Sequence, residues 1–224
     1  MNANEIIDRI EEIFPDAECE LHHNSPFQLI VAVVLSAQTT DASVNRVTPA
    51  LFESWPDARS LKDAPLKAVE DKLKTLGLYR TKSKNIIALA KAIDEQFDGR
   101  VPSSYKELES LPGVGRKTAN VVRSVAFDIP SLAVDTHVDR VSKRLGLAKP
   151  EDNVLKVEEK LKRKIDRDRW NQAHHDLIFF GRYFCMARKP NCPECPFSAF
   201  CKKEQLDAYN AMLKEKTNGR KKEQ

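Results

Sequence analysis

Residues 111–122 read Leu-Pro-Gly-Val-Gly-Arg-Lys-Thr-Ala-Asn-Val-Val. Pro112 has no backbone N–H and disfavours the helical region for the residue before it, so a helix arriving at Leu111 must stop there. Gly113 and Gly115 follow. Glycine tolerates positive φ and puts no Cβ in the way of an approaching ligand. From Arg116 onward the pattern turns basic and helical. A helix that starts straight after a tight turn presents free N–H groups and a positive dipole end, which together attract an anion. The stretch is therefore read as helix, hairpin, helix, able to hold a phosphate through backbone groups alone. Such a grip binds a nucleic-acid strand without reading its bases.

Lys117 falls in the first turn of the second helix, and two roles are open to it. As a cation it binds phosphate or stays solvated. As a nucleophile a lysine must be neutral, and an ordinary amine with a pKa of about 10.4 resists that by roughly 4–5 kcal/mol at pH 7. A helix N-terminus disfavours a cation by about 0.3–1 kcal/mol and apolar burial adds to this, which pushes the right way without sufficing. A partner is needed, and residues 131–141, SLAVDTHVDRV, contain one. Asp135 follows a short apolar run and precedes a helical pattern, the place of an N-cap. A capping carboxylate accepts backbone N–H bonds that favour its charged form and fix its direction. Alone, Asp135 reads as a structural cap. Placed after the hairpin and its lysine, it reads as the partner.

Around these stretches helical spacing predicts helices at 5–14, 66–76, 83–97, 105–111, 117–127, 136–145, 154–165 and 169–184. Ser104 and Glu107 have the spacing of a capping box. Residues 27–35, FQLIVAVVL, would suit a buried strand by propensity, but no second strand exists to pair with them, so they are read as a fully buried helix. The class is all-α. Residues 73–87 also align without gaps on 108–122, thirty-five positions later, with Leu73/Leu108, Leu76/Leu111, Lys82/Lys117 and Asn85/Asn120 identical. Both segments are expected to form helix–turn–helix units.

With 224 residues, 41% hydrophobic and 31% charged, the chain reads as an ordinary globular protein of one or two domains. It has no apolar run of about 18 residues, so no membrane span is expected. The N-terminus is an acidic amphipathic pattern with Ile6, Ile7, Ile10 and Ile13, unlike a signal or transit peptide, which points to the cytoplasm. A net charge of +4 says little about nucleic acid by itself. Residues 212–224 form a basic tail, read from composition as solvated and disordered.

Four of the five cysteines, Cys185, Cys192, Cys195 and Cys201, fall in a C-x6-C-x2-C-x5-C pattern. A cytosolic chain rarely keeps disulfides, so metal is the leading reading. Four thiolates suit either tetrahedral zinc or an iron–sulfur cluster, and ligand chemistry alone does not choose. Cys19 stands apart and is read as a small buried residue.

The glycine hairpin with Lys117, Asp135 eighteen residues on, and the cysteine loop occur in the order found in the endonuclease III family of helix-hairpin-helix DNA glycosylases. The chain resembles that family from about residue 6 to residue 203, with LSAQTTD (35–41) and LGLYRTKSKNI (76–86) matching further segments. The resemblance implies that Lys117 and Asp135 are catalytic and that the four cysteines hold a [4Fe–4S] cluster, deciding against zinc. It implies that Gln38 and Leu78 enter the duplex where the damaged nucleotide is extruded, and that Gly113, Gly115, His137 and Lys189 contact DNA. Read as residues alone, the turns at Gln38 and Leu78 are loop and packing, and His137 is structural.

The implied architecture is two helical domains flanking a DNA-binding cleft. A six-helix domain with the hairpin covers 20–130, and a cluster domain covers 1–19 and 131–211. The implied activity is base excision repair. Oxidised pyrimidines would be removed from double-stranded DNA and the strand nicked at the abasic site through a Lys117 Schiff base, by a monomer working on the nucleoid. Two alternatives stand beside it. One is a monofunctional glycosylase of the adenine-removing branch, which lacks the lysine and carries a catalytic Glu where this chain has Val33. The other is a non-catalytic, redox-sensing DNA-binding protein.

Overall fold

A computed structural model describes residues 1–220, and the side chains of residues 1–215. Every regular element among the described residues is helical, and none of these helices is long and apolar enough to cross a membrane. The chain divides into two compact units, Cys19–Ser131 and Met1–Glu18 joined with Leu132 onward.

In the first unit, α2 (Pro26–Leu35) is the buried helix expected from 27–35. Ser25 caps it by accepting the Gln28 N–H, and Pro26 sits at its first position, where the missing N–H is harmless. Phe27 and all residues from Leu29 to Leu35 are buried, because α3 (Asp41–Ser54), α6 (Tyr79–Phe97) and α8 (Arg116–Phe127) surround it. A helix enclosed on all sides has no polar face, hence no period to read. The short α4 (Ala58–Lys62) packs on α6, α5 (Leu66–Leu73) precedes α6, and α7 (Tyr105–Ser110) precedes α8. Neither α3 nor α4 was expected. Ser104 stands at the N-cap of α7, yet its side chain makes no capping bond, so the expected box does not form.

The repeated segments are both helix–turn–helix. Leu73, Leu76, Leu108 and Leu111 are all buried, and the left-handed residue of each turn falls at the same repeat position, Leu78 (φ 58°) and Gly113 (φ 77°).

The second unit begins with α1 (Ala3–Ile13), closed by a reciprocal Asn2–Glu5 capping box and burying Ile6, Ile7 and Ile10. Its core continues through α9 (Thr136–Arg144), α10 (Val154–Lys164) and α11 (Trp170–Phe179), joined by Leu132, Val138, Leu161, Leu177, Phe180 and Phe197. The stretch 169–184, expected as one helix, is composite. A 3₁₀ turn at Arg167–Arg169 leads into α11, which passes into a π turn at Phe180–Phe184. After the cysteine loop, α12 (Lys203–Arg220) takes in residues 212–220, where charge alone suggested disorder. Residues 221–224 lie outside the described residues.

Asp176 on α11 is fully buried, and one of its oxygens has no hydrogen-bond partner. Burial pushes its pKa from 3.8 up to about 7, aided by Glu11 and opposed by Gln172, which donates to it, and by Arg169. The folded state thus keeps a proton that the unfolded chain loses near 3.8, so the stabilisation is complete below that pH and is lost as pH rises through about 7. Asp176→Asn removes this titration. Thermal melting should show the variant gaining on the parent by up to about 4 kcal/mol between pH 4 and pH 8. An unchanged difference across that range would contradict the assignment.

Candidate active site

The hairpin forms as read, with one difference. The α7 helix ends at Ser110, and Leu111, ahead of Pro112, is extended (φ −78°, ψ 142°). Gly113 takes the left-handed conformation that only glycine adopts freely, whereas a Cβ there would meet Val34 and Asn85 only at ordinary van der Waals distance, so the backbone and not crowding asks for glycine. Gly115 does not have positive φ. It is extended (φ −103°, ψ −177°), serves as the N-cap of α8, and has open space where a Cβ would project. Its lack of a side chain therefore serves the space outside the chain rather than the turn. The N-cap Gly115 offers no side-chain acceptor to α8, and the first turn of a helix has no intrahelical acceptors for its N–H groups. Gly115→Ala should leave the unfolding free energy within about 0.5 kcal/mol of the parent while weakening duplex binding severalfold. Gly113→Ala should instead destabilise by about 1 kcal/mol or more. Equal binding by parent and Gly115→Ala would remove the backbone-approach argument.

Lys117 occupies the second position of α8 and is exposed. Asp135 is the N-cap of α9, and its Oδ1 accepts N–H bonds from His137 and Val138, each at 2.8 Å. The approach to this cap is fixed. Leu132, Ala133 and Val134 are buried, and the Ala133 carbonyl lies 2.9 Å from Nδ1 of buried His174 on α11. With Oδ1 committed to the helix, Oδ2 is the oxygen left for chemistry. The carboxylate is aimed by the backbone, not by rotamer chance.

The four cysteines of the loop act on one another. Burial raises the thiol pKa of Cys195 and Cys201, and the charges of Cys185 and Cys192 raise both further. Among the described residues no three His, Cys, Asp or Glu side chains stand close enough to share a single metal ion. A four-iron cluster attaches each thiolate to a different iron, so its ligands spread wider than those around one ion, and the donor set fits it. Cys19 is half-buried rather than buried.

Residues 31–167 match the HhH-GPD superfamily of base excision DNA repair proteins, and residues 185–201 match the iron–sulfur binding domain of endonuclease III. The chain is 54% identical to endonuclease III of Bacillus subtilis over 93% of its own length and 95% of the relative's. Identity to endonuclease III of Escherichia coli K12 is 45%, over 91% and 96% of the two chains. The chain belongs to the endonuclease III family.

Two solved endonuclease III structures share its fold. One is a trapped endonuclease III–DNA covalent intermediate, with TM-score 0.86 and 49% identity over 90% of this chain and 95% of that one. The other is a non-covalent endonuclease III–DNA complex, with TM-score 0.87 and 48% identity over 91% and 95%. As a family member the chain is a base excision repair DNA glycosylase with AP lyase activity, and its cofactor is a [4Fe–4S] cluster.

Within this endonuclease III frame two arginines stand out that sequence reading passed over. Arg140 on α9 donates to the carbonyls of Gly181 (2.7 Å) and Cys185 (3.4 Å), and the same guanidinium lies 3.4 Å from His137 Nδ1. Arg144, one turn later and 3% exposed, donates to the Cys185 carbonyl (3.2 Å), the Cys185 thiol (3.3 Å) and the Met186 carbonyl (2.9 Å). The helix that carries Asp135 and His137 thus also grips the first cysteine of the loop. Their spacing, two cations at i and i+4 beside Thr136, His137 and Lys143, reads in the sequence as a solvated face, so it gave no signal of burial. The π turn serves the same junction. Its wide winding lets Cys185 N–H reach the Phe180 carbonyl at 2.6 Å and turns the chain off the helix. Gly181 within it lets α9 approach closely, since a Cβ there would lie 3.0 Å from both His137 Cβ and Val141 Cγ2.

The remaining expected DNA contacts share a backbone trait. Among the described residues five non-glycine residues have positive φ. Asp98 and Asp128 merely close α6 and α8. The other three are Gln38 (55°), Leu78 (58°) and Lys189 (54°), all exposed and all expected from the family resemblance to touch DNA. A side chain held left-handed costs about 1–2 kcal/mol, and such strain gathers at functional sites.

Proposed function

We propose that the chain removes oxidised pyrimidines from double-stranded DNA and then nicks the strand through a Schiff base on Lys117. The observation that carries this is an exposed lysine in the first turn of the hairpin helix, two residues after the side-chain-free N-cap Gly115, in a chain whose capping Asp135 spends only Oδ1 on the N–H groups of His137 and Val138. The backbone at Gly113 and Gly115 holds a phosphate of the damaged strand. Gln38 and Leu78 enter the duplex as the lesion swings out, and His137 and Lys189 contact the DNA nearby. Extrusion is easiest where stacking is already poor, which selects damaged bases.

The Lys117 amine attacks C1′ of the extruded nucleotide as the base leaves with the glycosidic electron pair. Asp135 stabilises positive charge on the sugar and helps the lysine shed its proton. The sugar opens to an imine on Lys117, which acidifies the C2′ proton. Loss of that proton expels the 3′ phosphate and breaks the strand. The cysteines Cys185, Cys192, Cys195 and Cys201 hold the cluster, which when bound ties four points of the loop together. We further take the two compact units as the family's two helical domains, and the protein as a monomer working on the nucleoid in the cytoplasm.

The test uses duplexes carrying thymine glycol, an abasic site or no damage. The proposal requires free base and a nicked strand from the first, a nick from the second and neither from the third. Base release without a nick would favour the monofunctional reading, which Lys117 and Val33 already disfavour. Binding with no base release would leave only a redox-sensing DNA-binding protein.

A further inference from the structure

Lys82 holds in the first repeat the place that Lys117 holds in the second, yet its surroundings are the opposite. Lys117 is exposed, whereas Lys82 is 4% exposed on the first turn of α6. Its backbone N–H donates to the Leu78 carbonyl at 3.0 Å, and its ammonium donates to Thr39 Oγ1. Burial lowers its pKa, and among the described residues no carboxylate pairs with it. A buried ammonium without a counter-charge works against folding, and an apolar side chain of equal length would fill the space at less expense. Packing does not account for a lysine here. Contact with DNA phosphate does not either, because the side chain is inside the protein.

What Lys82 touches is two strained turns. Thr39 follows Gln38 in the turn that closes α2, where its own N–H reaches the Ser36 carbonyl at 3.0 Å. Leu78, 63% exposed, is the residue from which α6 starts, with no side-chain cap. Both turns hold a non-glycine residue left-handed, a state that persists only where neighbours enforce it. Lys82 reaches one turn through its main chain and the other through its side chain.

We infer that Lys82 is a positioning residue that fastens the Gln38 turn to the Leu78 turn, so that these two side chains enter the duplex as one rigid pair. This rests on the proposed role of Gln38 and Leu78.

The experiment uses the full chain with its cluster. Lys82→Met, Thr39→Val and the double variant are compared with the parent, with Gln38→Ala and Leu78→Ala alongside. Extrusion is followed by 2-aminopurine fluorescence next to thymine glycol. Lys82→Met should melt at or above the parent temperature and still cleave an abasic site in single-stranded DNA within about twofold. It should lose about tenfold or more in extrusion and base release from duplex. Thr39→Val should lose similarly, and the double variant no more than the worse single one, as expected for one shared contact. The proposal is overturned if Lys82→Met lowers melting and both activities together, or leaves base release unchanged. A fall of about one in the salt-dependence slope of duplex binding would also overturn it, since that marks a lost phosphate contact. Should Gln38→Ala and Leu78→Ala leave extrusion intact, the reading beneath fails. Should they impair it while Lys82→Met does not, this inference alone fails.

Discussion

Lys117→Gln is expected to abolish strand nicking and covalent trapping together while leaving the fold untouched. Sodium borohydride reduces an imine to a stable amine, so parent enzyme incubated with an abasic duplex should become joined to DNA at position 117. Glutamine has no nucleophilic nitrogen, and the rate of nicking should drop on the order of 10³-fold or more, since removing one member of a catalytic unit forfeits most of what the unit does. Because Lys117 is exposed in the first turn of α8 and glutamine suits helices, stability should move by no more than about 0.5 kcal/mol. Duplex binding should persist, because the grip proposed for the hairpin is through backbone groups. A variant that still nicked and became trapped on DNA, or that lost activity only by unfolding, would refute the assignment.

Asp135→Asn separates charge from architecture. Asparagine caps a helix as well as aspartate does, and its Oδ1 can accept the same two N–H bonds from His137 and Val138. The α9 helix should therefore stay in place and the melting temperature nearly constant. What disappears is the negative charge, and with it stabilisation of the positive sugar, a loss of roughly 10²–10³-fold in base release. Asp135→Ala makes the contrast, losing the same charge and also about 1 kcal/mol of capping. Were Asp135→Asn to release base at the parent rate, the residue would be a cap and nothing more.

The sequence carried the parts of this molecule that depend on residue type. The hairpin, the cap at Asp135 and the buried α2 follow from proline, glycine, a carboxylate after an apolar run and an unbroken stretch of aliphatics. What it hid depends on neighbours. The α3 helix has buried Val44, Val47, Thr48 and Leu51 at helical spacing, but Pro49 lies inside it and reads as a breaker. The α12 helix is masked by its charge, and the π turn differs from an α-helix by one hydrogen-bond offset that no residue type announces. Gly115 invites a positive φ that the chain places instead at Gln38, Leu78 and Lys189, none of them glycine. A left-handed glycine can be guessed from its letter, whereas a left-handed leucine exists only because the surrounding fold insists on it.

Those three positions set a trap for anyone engineering a hardier version of this enzyme. Glycine at 38, 78 or 189 would release about 1–2 kcal/mol of torsional tension against about 0.5–1 kcal/mol of added unfolded-chain entropy, a net gain of up to about 1 kcal/mol apiece, so a library ranked on survival would promote it. The same library ranked on lesion repair would discard it. Durability has to be sought away from the three tips proposed to meet DNA, at sites such as the buried carboxyl on α11.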